Sequence, residues 1–347
     1  MKSALKAAIK NSQSAQQSNE KKAKSNTPPD HTPIRSVHVG DSFAGVYYVR
    51  AAYEKIARNN NVYSDFTVAD CSGEAFVRHW NESKGIKRGD WIAIIANVEE
   101  YQGKPQIIAQ RIEKSPAPEQ SDMIHYIPIS ETKAEDKEKF EKYVKRVEEI
   151  ATAINDPTCK YILDAVFTDS FKEEFFSAPA SERTFYGMVG GLLSHTVKVT
   201  YAVGGFASQY SFSHDETCVA VSAALLHYIG AVAAFEIEGC QPAMTVRGKL
   251  NGIKQLTLQL VDCAIEDVQE KEDYNDATAQ RLVHVITAQT GEEVLPMTKE
   301  AILLAEAVSA DMKLVSAIDF IEQDINEEEF TAFDPVNRRQ YFKGIKK

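Results

Sequence analysis

Two histidines in patterned apolar surroundings carry the strongest chemical signal in the chain. Gly190-Gly191-Leu192-Leu193-Ser194-His195-Thr196 places an imidazole one turn into a helix opened by a glycine break. Ala223-Ala224-Leu225-Leu226-His227-Tyr228-Ile229-Gly230 places a second at the close of an apolar helix, and a helix opening at Thr298-Lys299-Glu300-Ala301 runs to Asp311. Imidazoles with carboxylate support can hold a divalent cation, which lowers the pKa of a bound water and clamps a phosphate. Asp215, Glu236 or Asp311 would have to supply that support. Taken alone, His195 and His227 are expected to be helix-packing or capping histidines, and Asp311 a solvated or helix-pairing carboxylate. Gly187, Gly190 and Gly191 precede a helix and could bind an anion there, but a tightly packed turn is the expected reason for them. No G-x-S-x-G and no G-x-x-x-x-G-K-[ST] occurs, which disfavours nucleophile-elbow and P-loop chemistry.

A second set of residues suits recognition. Between 34 and 114, Tyr47, Tyr48, Tyr53, Tyr63, Phe66, Phe76, Trp80, Trp91 and Tyr101 interleave with Arg50, Lys55, Arg58, Arg78, Lys104 and Arg111. Aromatic rings offer stacking platforms for unpaired bases, and cations track the phosphates. Alternation over 74–80 puts Phe76, Arg78 and Trp80 on one strand face and Val77 and His79 on the other. Phe76 and Trp91 are expected in the core; Trp80 suits either the core or a contact.

The elements that must position these residues differ between the two halves. Val37–Asp41 into Phe43–Val49, Tyr63–Asp70, Glu74–Trp80, Trp91–Val98 and Pro105–Ala109 read as five strands separated by glycine-bearing turns, the pattern of a small closed barrel. From about 136 the apolar period becomes 3.6, with helices over 137–154, 159–176, 191–210, 215–229, 250–269, 275–287 and 298–321 and no convincing strand. The expected class is α+β multidomain, a barrel followed by an all-α domain. The expected divisions are a disordered basic tail (1–33), the barrel (34–114), a proline-broken linker (115–135), the helical domain (136–325) and a C-terminal tail (326–347).

Charge follows the same divisions. Residues 1–29 carry six lysines against Glu20, a net of +5; residues 30–118 carry 11 basic and 11 acidic side chains; the remainder carries 22 basic against 38 acidic, a net of −16. Nucleic acid would therefore meet the front of the chain, not the back. The five cysteines are scattered, with no C-x-x-C, so a disulfide framework or cysteine-zinc site is not expected and a cytoplasmic setting fits. No apolar run was found to approach the ~20 residues of a membrane span, and no apolar h-region follows the first lysines, so neither a membrane partner nor a secretory signal is expected.

Barrel, linker, G-G-L-L-x-H-T and A-x-L-L-H-x-I-G in this order resemble the YhaM-type 3′-5′ exoribonucleases, which join an OB-fold to an HD-superfamily phosphohydrolase domain. The resemblance runs from about residue 34 to the end and includes Asp70-Cys71-Ser72-Gly73, Trp80, Gly89-Asp90, Tyr101-Gln102-Gly103-Lys104, Gln106 and Asn337-Arg338. It implies an OB barrel that binds single strands, with Phe66, Arg78, Trp80, Tyr101 and Lys104 as contact candidates. It also implies an HD cage in which His195 and His227 stand at the two histidine positions and Asp311 near the distant aspartate. Tyr228 stands where the HD aspartate belongs, and a phenol with a pKa near ~10 is a poor ligand at neutral pH. Ala231, Ile253, Ala288-Gln289-Thr290 and Ala305 stand where the family has a lysine and further histidines. The resemblance thus implies a degenerate HD domain with no catalytic residue, no bound metal and no cofactor.

The resulting expectation is a pseudoenzyme: a single-stranded RNA- or DNA-binding or assembly protein, able to self-associate through its helical domain. Its alternatives are an active exonuclease or phosphohydrolase using Mn or Mg at a residual His195/His227 site, and a protein-interaction module that does not bind nucleic acid.

Overall fold

The structure is a computed structural model that describes residues 31–57, 59–101, 104–118, 126, 134–182, 186–290, 294–324 and 328–344. The lysine-rich first thirty residues and most of the 115–135 segment lie outside it. The chain divides into two compact units, one of which runs to Ile129 and takes in Ile237–Gln241, while the other comprises Ser130–Glu236 and Pro242–Lys347.

Strands β1 (Ser42–Ile56), β2 (Val62–Asp70), β3 (Gly73–His79), β4 (Trp91–Tyr101) and β5 (Lys104–Ser115) close a barrel in the order β1-β2-β3-β5-β4. β1 serves both edges: Ser42–Tyr48 pairs with β4, and Tyr48–Ile56 with β2, the register shifting between Val49 and Ala51. Such a bulge bends a long strand and lets it close the sheet. β3 joins β5 in parallel, Arg78 opposite Ile108, while all other pairings are antiparallel. This is an OB-type barrel. Tyr47, Phe66, Ile92, Ile94 and Ile112 fill its interior. The β2–β3 hairpin turns on Asp70, whose Oδ1 accepts from the Ser72 and Gly73 backbone N–H groups at 2.7 and 3.1 Å. This Asx-type turn is a role for which a short carboxylate side chain is suited.

In the second unit α1 (Ala134–Ala153), α2 (Pro157–Val166), α3 (Asp169–Ser177), α4 (Gly191–Gln209), α5 (His214–Leu226), α6 (Ala231–Ala234), α7 (Val246–Val268), α8 (Asp276–Thr287) and α9 (Lys299–Gln323) pack around one core. Side-chain caps explain where they start. Asp156, Thr168, Thr245, Asn275 and Thr298 each accept from a first-turn N–H, and Ser213 makes a capping box with Glu216. Thr168 is also why the expected 159–176 helix is two: it caps α3 where α2 has ended at Phe167. α7 begins at Val246 rather than 250 and bends at Gly252, whose φ of +74° no helix accommodates.

Two expectations are corrected. The helical half does contain strands: β6 (Phe235–Glu238) and β7 (Gln241–Met244) form a hairpin turning at Gly239, at φ +64°. Four-residue strands are too short to show a period. The stretch His214–Ala234, moreover, is long and apolar enough to cross a membrane on length and composition, with mean hydropathy 1.8, but 78% of its apolar window is buried inside the unit. It comprises α5, the turn at His227–Gly230 and α6, and its apolarity reflects packing on all sides.

Candidate functional site

The outward face of the barrel gathers aromatic rings around one arginine. On β3, Val77 and His79 turn inward, while Phe76, Arg78 and, just past the strand, Trp80 turn outward. Phe76 is 47% exposed and Trp80 55%. The registers place Arg78 opposite Asp65 and Asp65 opposite Tyr53, with Tyr63 opposite Lys55. The Asp65 carboxylate is fully buried beneath these side chains. It accepts from Arg78 Nε at 2.8 Å and Nη2 at 3.1 Å, a bidentate fork, and from Lys55 Nζ at 2.9 Å. Burial pushes its carboxyl pKa up, but the hydrogen bonds from Arg78 and Lys55 outweigh that and hold it below the usual value. Fixed from below, the Arg78 guanidinium lies 4.9 Å from the centre of the Tyr63 ring, 5.4 Å from Trp80 and 5.8 Å from Phe76. Tyr63 and Trp80 are themselves 5.5 Å apart. Lys55, Arg78 and Asp65 leave this cluster one net positive charge.

Of the residues singled out in the sequence, Arg78 and Trp80 are thus brought together. Tyr101 closes β4, exposed and close enough to Arg78 to interact electrostatically. Lys104 opens β5 opposite Tyr101, and only its backbone is described. Phe66 is a correction: it is fully buried in the barrel core, and the outward ring of β2 is Tyr63. Phe76 is the opposite correction, an expected core residue that faces out, whereas Trp91 is in the core. Asp65 and Tyr63 were not singled out as site residues, although both share a period-two face of β2.

In the helical unit, α4, α5 and α9 deliver His195, His227 and Asp311 to one buried network. His227 occupies the C-terminal cap of α5, where its Nδ1–H donates to the Ala224 carbonyl at 2.8 Å. Its Nε2 therefore presents a lone pair, 3.0 Å from His195 Nε2. Complete burial, with His195 beside it, lowers the His227 pKa to about 3 and keeps the ring neutral. On its other side the His195 ring donates from Nδ1 to Asp311 Oδ2 at 2.7 Å. Tyr186 O–H donates to the same carboxylate, 2.7 and 2.9 Å from its two oxygens, and itself receives Lys198 Nζ at 3.2 Å. Burial pushes the Asp311 carboxyl up, but the hydrogen bonds from His195 and Tyr186 prevail and lower it. Lys198 is lowered, chiefly by burial. Asp311 is thus a buried hydrogen-bond hub rather than the expected solvated carboxylate, and Tyr186 and Lys198 are members that the sequence did not signal.

This donor set does not fit a divalent cation. The Nε2 atoms of the two histidines face each other 3.0 Å apart, two imidazoles with no carboxylate beside them on that edge among the described residues. Asp311 engages His195 from the opposite edge of the ring. Tyr228 packs edge-on to His195 with ring centres 5.4 Å apart, and burial pushes its phenol above its ordinary pKa. Asp215 and Glu236 are exposed on α5 and β6. Among the described residues no three histidine, cysteine or carboxylate side chains converge on a point suited to an ion. Residues around the two histidines do packing work. Gln289 Nε2 donates to the His227 carbonyl at 3.1 Å, and Gly230, after His227, lies so close to α7 that a Cβ would come 2.4 Å from the Ile253 carbonyl oxygen. Gly190 and Gly191 likewise form a packed turn: a Cβ on Gly191 would lie 2.1 Å from the Tyr186 carbonyl oxygen.

No family profile matches the chain, and no curated protein matches it. Solved structures do. A crystallised domain of replication protein A from Methanococcus maripaludis aligns at 22% identity, covering 24% of this chain and 93% of that one, with a TM-score of 0.22. The second OB-fold domain of replication protein A from the same organism, solved by NMR, aligns at 19% identity over 25% and 97% of the two chains, TM-score 0.22. A replication protein A heterotrimer bound to single-stranded DNA aligns at 19% identity over 30% and 79%, TM-score 0.20.

Proposed function

We propose that this chain binds single-stranded nucleic acid on the outward face of its barrel. We further propose that its helical unit is an HD-type scaffold, akin to that of the YhaM-type exoribonucleases, kept for assembly rather than phosphodiester hydrolysis. The observation that carries the first part is the Arg78 platform. Contiguous exposed apolar groups mark contact surfaces, and Phe76 and Trp80 stand half exposed within 6 Å of a guanidinium locked by Asp65. Rings and guanidinium offer π-faces to successive bases, at about 1–3 kcal/mol per stacked base. One net charge in the cluster gives modest phosphate attraction, so affinity rests on stacking and varies little with sequence. The second part is supported by Tyr228, a phenol whose pKa burial raises, at the position the resemblance gives to an aspartate, and by the lack, among the described residues, of three ligand side chains that converge on one point.

The test is fluorescence anisotropy with labelled single-stranded RNA and DNA, with duplex as competitor, paired with an assay for mononucleotide release in manganese. Trp80→Ala and Phe76→Ala are each expected to weaken single-strand binding about tenfold, one stacked base being worth roughly 1.4 kcal/mol. Binding that neither variant alters overturns the assignment of the face. Manganese-dependent release that His195→Ala abolishes overturns the non-catalytic half.

A further inference from the structure

Outside the His195 network, a thiol, an imidazole and an amide oxygen meet beside a cavity of the helical unit. His214 and Cys218 stand four residues apart at the start of α5, so their side chains share one face of the helix. The Ser213–Glu216 capping box fixes that first turn. Asn155 approaches the same face from the turn between α1 and α2, where Asp156 caps α2 by accepting the Cys159 N–H at 2.8 Å. Cys218 Sγ lies 3.6 Å from His214 Nε2 and 3.6 Å from Asn155 Oδ1, and the imidazole and the amide hydrogen-bond to each other. Cys218 is buried whereas His214 and Asn155 are exposed. Cys218 and His214 both line a cavity of about 270 Å³. Arg146, which lines it too, has its charge answered by Glu149 at 3.1 Å.

We propose that Cys218, His214 and Asn155 form a site for a zinc ion, with water from the cavity as the fourth ligand. A Zn–S bond of ~2.3 Å and a Zn–N bond of ~2.0–2.1 Å at tetrahedral angles set sulfur and nitrogen about 3.6 Å apart, and a Zn–O bond of ~2.0–2.2 Å sets sulfur and oxygen about 3.6 Å apart. Both sulfur edges of the triangle match those spacings. The third edge opens on binding. The ion takes the place of the His214 Nε2 proton in the bond to Asn155, that proton passes through solvent to Nδ1, and the thiol proton leaves to solvent as the Zn–S bond forms. His214 and Asn155 are exposed, so their side chains separate without disturbing the core. A sulfur, a nitrogen and an oxygen donor together suit zinc, whereas magnesium and calcium take oxygen. The third donor is an amide, so the site stands apart from any cluster of three histidine, cysteine or carboxylate ligands, of which the described residues hold none. The bound ion ties the start of α5 to the α1–α2 turn.

Titration of the full-length chain, stripped of metal by a chelator, with cobalt(II) tests this. The wild type is expected to develop a thiolate-to-cobalt charge-transfer band in the near ultraviolet that saturates at one equivalent and is abolished by added zinc. Cys218→Ser is expected to remove the band. His214→Ala, an exposed position where folding is not at stake, is expected to weaken zinc binding at least ~tenfold, the loss that even an outer-shell change causes. Asn155→Asp, which exchanges the amide for a carboxylate, is expected to tighten it several-fold. Cys263→Ser, which removes an exposed thiol on α7, is expected to leave the band intact. Far-ultraviolet circular dichroism checks the fold of each variant. No charge-transfer band, a band that survives Cys218→Ser, zinc binding that His214→Ala does not weaken or Asn155→Asp does not tighten, or a band lost in Cys263→Ser would overturn the proposal.

Discussion

Because His227 is buried and neutral, acid should attack the helical unit through this one ring. Unfolded, the imidazole titrates near ~6.5; folded, its pKa is lowered to about 3 by burial and by His195. A group whose folded pKa is depressed binds more protons when unfolded as pH falls below the unfolded value. Its contribution is therefore intact above about pH 6.5 and is lost as pH falls toward 3. The loss approaches about 1.4 kcal/mol per pH unit, and between pH 7 and pH 5 it totals roughly 2 kcal/mol for this ring alone. Asp311, also lowered, adds a loss only at more acid pH, below the unfolded carboxylate range. Both tryptophans, Trp80 and Trp91, are in the barrel, so far-ultraviolet circular dichroism in urea reports the helices while tryptophan emission reports the barrel. The helical transition of the wild type should weaken by about 2 kcal/mol more than that of His227→Gln over this interval, a difference the variant's lower starting stability does not affect. Equal pH slopes in the two proteins, or a wild type that gains stability on acidification, would refute the reasoning.

Asp65→Ala removes a fork to Arg78 and a bond to Lys55. The Arg78 bonds are charge-assisted and largely sheltered, whereas Lys55 is half exposed and contributes little, so the barrel should lose about 2–3 kcal/mol in a urea titration followed by tryptophan emission. Phe66→Ala should cost the barrel about 3–5 kcal/mol as a core truncation, whereas Phe76→Ala should leave stability within about 1 kcal/mol and act on binding; the reverse order would contradict the faces assigned to them. Gly191→Ala should lower the helical melting midpoint sharply, since the obstructing atom is the Tyr186 backbone oxygen and cannot swing aside; an unchanged midpoint would show that the turn yields.

The sequence disclosed much of the frame and the less crowded of the two sites. Strands bounded by glycine turns and helices opened by Ser213 and Thr298 carry their signals locally, within one or two turns of chain. The grouping of Phe76, Arg78 and Trp80 against Val77 and His79 on β3 was also legible in the alternation, but not which group faces out, since Phe76 was expected in the core. On β2 alternation failed to choose a phase, because each face mixes polar and apolar residues: Ser64, Phe66, Val68 and Asp70 on one, Tyr63, Asp65, Thr67 and Ala69 on the other. What decides is that Asp70 is satisfied in the hairpin turn and Asp65 by Arg78 and Lys55, pairings that exist only after the sheet forms. The histidine network is non-local in the same way. Asp311 lies 116 residues from His195 and Tyr186 lies 125 from Asp311, so no spacing announces them.

Tryptophan emission offers the most direct test of the Arg78 platform, since Trp80 is exposed there and Trp91 is buried in the core. Titrating single-stranded oligonucleotide at low salt should quench a fraction of the emission, saturably. That quenching should vanish in Trp80→Phe while anisotropy still reports binding, and it should weaken as salt is raised, with a log–log slope of about −0.7 per phosphate contact. Emission that stays constant while the oligonucleotide binds, or an oligonucleotide that fails to bind at all, would contradict the account.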